Sequence, residues 1–255
     1  MRLEYKFLVD RKLLPKLRRS FYPYVRLDPY AQLRDSKDYI VRSIYFDTNE
    51  LCFYHEKIEG IKIRKKIRIR GYNEYGNSNK LFLEIKRKHE NYTCKNRSQI
   101  YYHQLTDLFE AEDPIGLFKN QNSIPDGNGK KFLYYVLRYG LRPTVLVVYN
   151  REAYYSRFNS NLRLTIDKNL RYYGFPELTE LYKDHVLQNA LNGSAIFEIK
   201  FSKGFPDWLQ SILKEYNLTR AALSKYTICL DAQKHLNPAT RRTILPFNRG
   251  LYRYQ

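Results

Sequence analysis

"IKIRKKIRIR" spans residues 61–70. Lys62, Arg64, Lys66, Arg68 and Arg70 fall on even positions, and Ile61, Ile63, Ile67 and Ile69 fall on odd ones, with Lys65 as the single break. A period of two predicts a β-strand with cations on one face and isoleucines on the other. Like charges along one face repel one another, so this strand needs an anionic counterpart.

The alternation recurs along the chain. In "LEYKF" (3–7) Glu4 and Lys6 alternate with Leu3, Tyr5 and Phe7; in "LFLEIKRK" (81–88) Glu84, Lys86 and Lys88 alternate with Leu81, Leu83 and Ile85. "LRLTID" (162–167) sets Arg163, Thr165 and Asp167 against Leu162, Leu164 and Ile166, and "FEIKF" (197–201) sets Glu198 and Lys200 against Phe197, Ile199 and Phe201. Arg151 stands in "YNREAYY" (149–155). Taken singly, each segment is an ordinary strand with one wet face. Taken together, Glu-x-Lys three times beside a strand of Arg and Lys predicts a barrel whose inward face is polar. Cations lining a lumen need an anion to offset repulsion and desolvation. Inward carboxylates then suit a divalent cation, Mg²⁺ or Mn²⁺, shared with substrate phosphates. Arg suits bidentate phosphate recognition, and Lys supplies a point charge.

Composition agrees. The chain has 255 residues, 43% hydrophobic content and a formal net charge of +19. That is enough apolar material for a core, and a charge balance that points to a polyanion: nucleic acid, an acidic membrane surface or a phosphorylated substrate. Cys52, Cys94 and Cys229 form no CxxC pair, which argues against a disulfide framework or zinc site and for a reducing compartment. The N-terminus "MRLEYKFLVD" has no signal-peptide core, and no apolar run reaches the roughly 18 residues of a membrane span. A cytoplasmic protein is expected, peripheral at a membrane only through a partner.

Strands are predicted at 3–9, 39–47, 61–72, 80–88, 144–155, 162–167 and 195–201, and helices at 11–22, 107–118, 131–140 and 206–218. "GNGKK" (127–131) reads as a loop. Residues 1–235 form one domain in this reading, and 236–255 a basic tail. Strands at regular spacing with few helices predict an α+β protein, an antiparallel barrel or strongly curved sheet with helices outside.

The phrases "LEYKFLV", "YIVRSIYFDT", "KIRIRGY", "FLEIKRK", "YNREAYY", "LRLTID", "FEIKF" and "LSKY", in that order, resemble the triphosphate tunnel metalloenzymes, and within them the VTC-type polyphosphate polymerase domain. The resemblance implies an antiparallel barrel of about eight strands forming a triphosphate tunnel. It implies ATP and inorganic polyphosphate as ligands, with Mn²⁺ or Mg²⁺ as cofactor. The γ-phosphate of ATP would pass to the end of a growing polyphosphate chain. The implied catalytic and phosphate-binding residues are Lys6, Arg68, Arg70, Lys86, Arg151, Arg163, Lys200, Ser224 and Lys225. Lys95 is a looser match. Glu198 would lead the metal ligands, with Glu4 and Glu84 as helpers.

Two departures stand out. The similar CYTH-like triphosphatase branch opens with Glu-x-Glu-x-Lys, whereas this chain has Arg2 in the first position, which favours the polymerase branch. The polymerase pattern often carries a basic residue where this chain has Ala222, with Arg220 two places earlier. No SPX-type regulatory domain or membrane anchor is expected, so any export would need a separate membrane-protein partner.

Phosphoryl transfer in such a site rests on positioning and charge neutralisation. That fits scattered histidines (His55, His89, His103, His185, His235) and the lack of a Walker A pattern. A triphosphatase on the same fold is the first rival reading. A non-enzymatic binder of polyphosphate or nucleic acid is the second; 25 tyrosines and 45 basic residues would suit stacking plus charge. Nucleic acid is the less expected partner, because Glu4, Glu84 and Glu198 would repel its backbone.

Overall fold

The computed structural model describes residues 3–90, 92–110, 127–158, 161–202 and 204–236. Its strands are β1 (Leu3–Asp10), β2 (Val25–Leu27), β3 (Tyr39–Asp47), β4 (Ile63–Tyr72), β5 (Lys80–His89), β6 (Tyr92–Tyr101), β7 (Arg142–Ser156), β8 (Arg163–Gly174), β9 (Gln188–Asn189) and β10 (Ser194–Phe201). Its helices are α1 (Leu14–Phe21), α2 (Pro29–Gln32), α3 (Cys52–Ile58), α4 (Gln104–Glu110), α5 (Gly127–Arg138), α6 (Asp207–Glu215) and α7 (Lys225–Leu236).

The ten strands form one antiparallel sheet in the order β1-β10-β8-β7-β3-β4-β5-β6, with β2 paired to β7 and β9 to β8. No backbone ladder joins β1 to β6 among the described residues. The sheet nevertheless curls until β1 faces β5: Lys86 Nζ lies 3.6 Å from Glu4 Oε2. The free edge of β1 is covered by residues 220–221, which bridge Phe7 and donate a hydrogen bond from Ala221 N to Lys6 O at 2.8 Å.

Alternation sorts side chains as the sequence predicts. The odd positions of β4, Ile67 and Ile69, are fully buried in an outer cluster with Leu81, Leu83 and Ile85 of β5 and with Phe132 and Leu133 of α5. A second outer cluster packs Phe7, Leu164, Ile166, Phe197 and Ile199 against Leu17 and Phe21 of α1 and Leu209 and Ile212 of α6. Lys65, the break in the alternation, turns outward and sets its ammonium 5.2 Å from the Tyr139 ring centroid.

Not every helix belongs to this outer layer: Ala31 of α2 and Tyr54 of α3 reach an inner cluster, and α7 sits in it. Helix α7 lies against the inward face, where Tyr226, Cys229 and Leu230 pack with Val145, Val147, Leu170, Tyr172 and Ile196. A register shift in the β7–β8 ladder, between Val148 and Asn150, adds to this apolar surface. Opposite it, Asn169 takes a positive φ of 51°, and the extra residue turns Leu170 and Tyr172 inward. The inward face is therefore polar over part of its length and apolar under α7.

Element bounds differ from expectation where tertiary burial outweighs local propensity. β4 starts at Ile63 rather than 61, because Ile61 N still bonds Glu56 O at 3.0 Å to close α3. Gly60 makes that closure with φ +73°. "GNGKK" is the first turn of α5 rather than a loop; the buried Phe132, Leu133 and Val136 hold that helix despite two glycines. Strand β6 and helices α3 and α7 carry no periodicity that announces them. The helix expected at 107–118 begins at Gln104, and its part beyond Glu110 lies outside the described residues, as does the tail after Leu236.

Candidate phosphate-binding site

The polar stretch of the inward face is built from β1, β10, β8, β7, β4, β5, β6 and the start of α7. Period-two alternation, confirmed by the cross-strand pairs Lys6 with Glu198, Lys200 with Arg163, and Arg68 with Glu84, places the charged residues on one face. Most of its cations are held by one of four buried or half-buried carboxylates.

Glu84, 1% exposed, is the centre of one group. Arg68 donates Nε at 2.8 Å, Lys95 Nζ lies at 2.6 Å, Arg97 Nε at 3.3 Å and Arg70 Nη1 at 3.9 Å. Burial alone would push the Glu84 carboxyl up, but Arg68, Arg70 and Lys95 hold it well below the usual range. Tyr45 orients the same guanidinium, its hydroxyl accepting from Arg68 Nη1 at 2.7 Å. Arg70 also donates to Ser43 Oγ at 3.2 Å.

Asp167 is the second centre. Arg151 donates to it through two nitrogens, at 2.6 and 2.8 Å, and Lys225 Nζ lies 2.5 Å away. The third is the pair Glu4 and Glu198. Lys6 Nζ is 2.8 Å from Glu4 and 4.0 Å from Glu198; Lys200 pairs closely with Glu198 and lies 4.0 Å from Glu4. Burial and the neighbouring Glu198 push Glu4 up, but Lys6, Lys200 and Lys86 outweigh them and draw it down to about 2. Arg163 sits slightly apart, 3.2 Å from Asp28 and 5.0 Å over the Tyr155 ring.

Ser224 precedes α7 and caps it, its Oγ accepting from Thr227 N at 3.4 Å and from Lys66 Nζ at 2.7 Å. Lys62, which shares the parity of Arg68 and Arg70, lies at the exposed start of β4, 3.9 Å from Glu90. Lys66 is inside. Ala222 is exposed, and Arg220 brings no charge inward, its guanidinium lying 4.2 Å over the outward ring of Tyr5.

All nine expected phosphate ligands therefore gather on this face or at its edge. Asp167, Tyr45, Arg97 and Lys66 join them without having been singled out. The alternation pointed to Asp167 and Lys66; Tyr45 stands in a strand whose arginine, Arg42, faces outward to Asp184, so its pattern reads ambiguously.

No three His, Cys, Asp or Glu side chains gather into a metal-binding group among the described residues. Glu198, however, is 4% exposed, its Oε1 pairs with Lys200 while its Oε2 lies 4.0 Å from Lys6 Nζ, and it is close enough to Glu4 to raise that carboxyl's pKa. Two neighbouring carboxylates suit Mg²⁺ or Mn²⁺, which take their remaining ligands from water and phosphate, the lysines then turning to the phosphate. Glu84 is surrounded by Arg68, Lys95 and Arg97 and has different charge partners from that pair.

The family model described as VTC domain matches residues 1–233. The chain is 25% identical over 154 residues to the vacuolar transporter chaperone complex subunit 4 of Trypanosoma cruzi (strain CL Brener), a match covering 51% of this chain and 19% of that protein. Among solved structures, the PH1819 protein of Pyrococcus horikoshii OT3 aligns with a TM-score of 0.46 at 15% identity, over 91% of this chain and 99% of that one. HpAC1 of Hippeastrum, described as having a dominant triphosphatase activity, aligns with a TM-score of 0.48 at 14% identity, over 91% and 96%.

Proposed function

The chain belongs to the VTC domain family, and from that premise we propose that it is a polyphosphate polymerase. It transfers the γ-phosphate of ATP to the end of an inorganic polyphosphate chain held on the inward face. The observation that carries this reading is the charge count at the site. Among the described residues, Lys6, Arg68, Arg70, Lys86, Lys95, Arg97, Arg151, Lys200 and Lys225 share only Glu4, Glu84, Asp167 and Glu198 as ion-pair partners. The excess positive charge suits a linear polyanion, whose oxygens take over from the internal carboxylates.

Arg68 and Arg70, adjacent on one face of β4, grip phosphate oxygens as planar forks. Arg151 and Lys225, fixed by Asp167, line the neighbouring wall. Lys6, Lys200 and Lys86 hold the phosphates nearest Glu198, and Arg163 and Ser224 add contacts at the edges. The attacking phosphate oxygen is already an anion, so no general base is needed, and the cations lower the repulsion between donor and acceptor. Glu198 and Glu4 would hold a divalent metal, which when bound neutralises charge on the transferring and leaving phosphates. No described helix is long and apolar enough to cross a membrane. We place the protein in the cytoplasm, with any membrane role supplied by a partner; the T. cruzi relative's name includes a complex.

The deciding experiment incubates the purified chain with ATP and Mn²⁺ and resolves products on a gel stained for polyphosphate. A ladder with release of ADP is the expected result. Free phosphate or diphosphate without a ladder would replace this reading with a triphosphatase. No turnover, with tripolyphosphate bound, would leave a polyphosphate-binding protein.

A further inference from the structure

Each cation assigned above to phosphate has a carboxylate within ion-pair distance. Lys66 has none among the described residues. It stands on the inward parity of β4, two residues before Arg68. Its ammonium donates to the neutral Ser224 Oγ at 2.7 Å and lies 6.0 Å from the Tyr226 ring centroid. The charged groups that act on it most strongly are Lys6 of β1, Lys86 of β5, Arg68 of its own strand and Lys57 of α3, all cations. Burial and these four neighbours push its pKa well below the ordinary lysine range. A hydroxyl and an aromatic face do not neutralise an ammonium in such a place. An arriving anion would.

The segment before α7 supplies no further charge on this side; its Leu223 O accepts from Lys6 Nζ at 3.1 Å. Ala222 offers a methyl group, and Arg220 is turned to Tyr5. We propose that Lys66 is a phosphate-binding residue of the inward face, its ammonium taking the phosphate oxygen that lies against Ser224. It does from β4 what a basic side chain at position 222 would do from the segment before α7. Ser224 then acts on phosphate through Lys66 as well as directly, since its Oγ fixes where the ammonium points. The proposal rests on the site binding a phosphate chain, not on transfer between chains.

The test uses the full chain and sodium tripolyphosphate without metal, followed by calorimetric titration at several salt concentrations. Lys66→Met, close in volume and uncharged, is expected to weaken binding about tenfold or more. The slope of log Kd against log salt should fall by about one unit, as one phosphate contact is lost. Its ligand-free melting temperature should stay level or rise, because an unpaired ammonium has been removed. Ala222→Lys in the Lys66→Met background should restore most of the affinity and the slope, which a purely packing role for Lys66 would not allow. Lys66→Met binding as wild type does would overturn the proposal, as would weakened binding with a lowered melting temperature and no rescue by Ala222→Lys. Wild-type protein that binds no tripolyphosphate at all would overturn the functional reading itself, a result distinct from either.

Discussion

Asp167 Oδ2 and Lys225 Nζ lie 2.5 Å apart and join the centre of the sheet to the first residue of α7. Asp167 is 2% exposed and also takes both forks of Arg151. One carboxylate therefore compensates two half-buried cations. Asp167→Asn keeps the shape and deletes the charge, leaving Arg151 and Lys225 uncompensated. The ligand-free protein should lose about 3–5 kcal/mol. Tripolyphosphate should recover much of this, so the rise in melting temperature on adding ligand should exceed that of wild type. Equal ligand shifts in both proteins would mean that phosphate does not reach this pair.

Glu198 carries a different burden. Its Oε1 pairs with Lys200 and its Oε2 lies 4.0 Å from Lys6 Nζ, and both ammoniums also face Glu4. If Glu198 leads the metal ligands as proposed, Glu198→Gln should lower Mn²⁺-dependent turnover by about a hundredfold or more. Metal-free tripolyphosphate binding should hold or tighten, because a competing carboxylate is gone. Turnover and metal-free affinity falling together would assign Glu198 to the architecture of the site and not to a metal.

Gly71 offers a purely structural check on the outer layer. A Cβ there would stand 2.5 Å from Tyr182 Oη and 3.1 Å from Leu81 Cδ2. The 3₁₀ segment Leu178–Tyr182 packs on β3 and β4 only because this position is bare. Gly71→Ala should lower the melting temperature by a few degrees, an effect of about 1–3 kcal/mol, while leaving tripolyphosphate affinity unchanged, since the residue faces away from the site. A loss of affinity would show that this face is coupled to the lumen.

The period-two alternation made much of this molecule legible. Arg68 with Arg70, Lys86, Lys200 and Arg163 all lie where parity puts them, because one buried face permits no slip of register. Two kinds of feature escaped. Strand β6, "YTCKNRSQIY", has weak alternation because its polar residues face both the site and the helix above it: Lys95 points to Glu84, whereas Asn96 bonds Asn128 of α5. Helix α7 was hidden for another reason. Its apolar residues meet the inside of the sheet, and a local pattern does not report which side of a barrel a helix will choose. The inward turn of Leu170 depends on the positive φ of Asn169, a backbone event that the neighbouring side chains do not announce.

Acid should expose the charge balance of the site. Glu4 falls from 4.5 to about 2 on folding, so it stabilises the native state above pH 4.5, and that contribution is lost as pH falls towards 2. Glu84 and Asp167 are shifted in the same direction. Asp47 works with the opposite sign. Burial, opposed by hydrogen bonds from Tyr226 and from the backbone of Thr48, Phe53 and Tyr54, raises it from 3.8 to about 6. Its contribution is complete below pH 3.8 and is lost as pH rises through 6. Urea unfolding followed across pH should therefore show a shallow decline in stability between 3.8 and 6, and a steep fall below 4.5. In Glu4→Gln the steep fall should be smaller, and the shallow decline should remain. Tripolyphosphate should also flatten the acid limb, because bound phosphate replaces carboxylates as the counter-charge. If Glu4→Gln reproduced the wild-type acid limb, the Lys6, Lys86 and Lys200 contacts would contribute little to stability in solution.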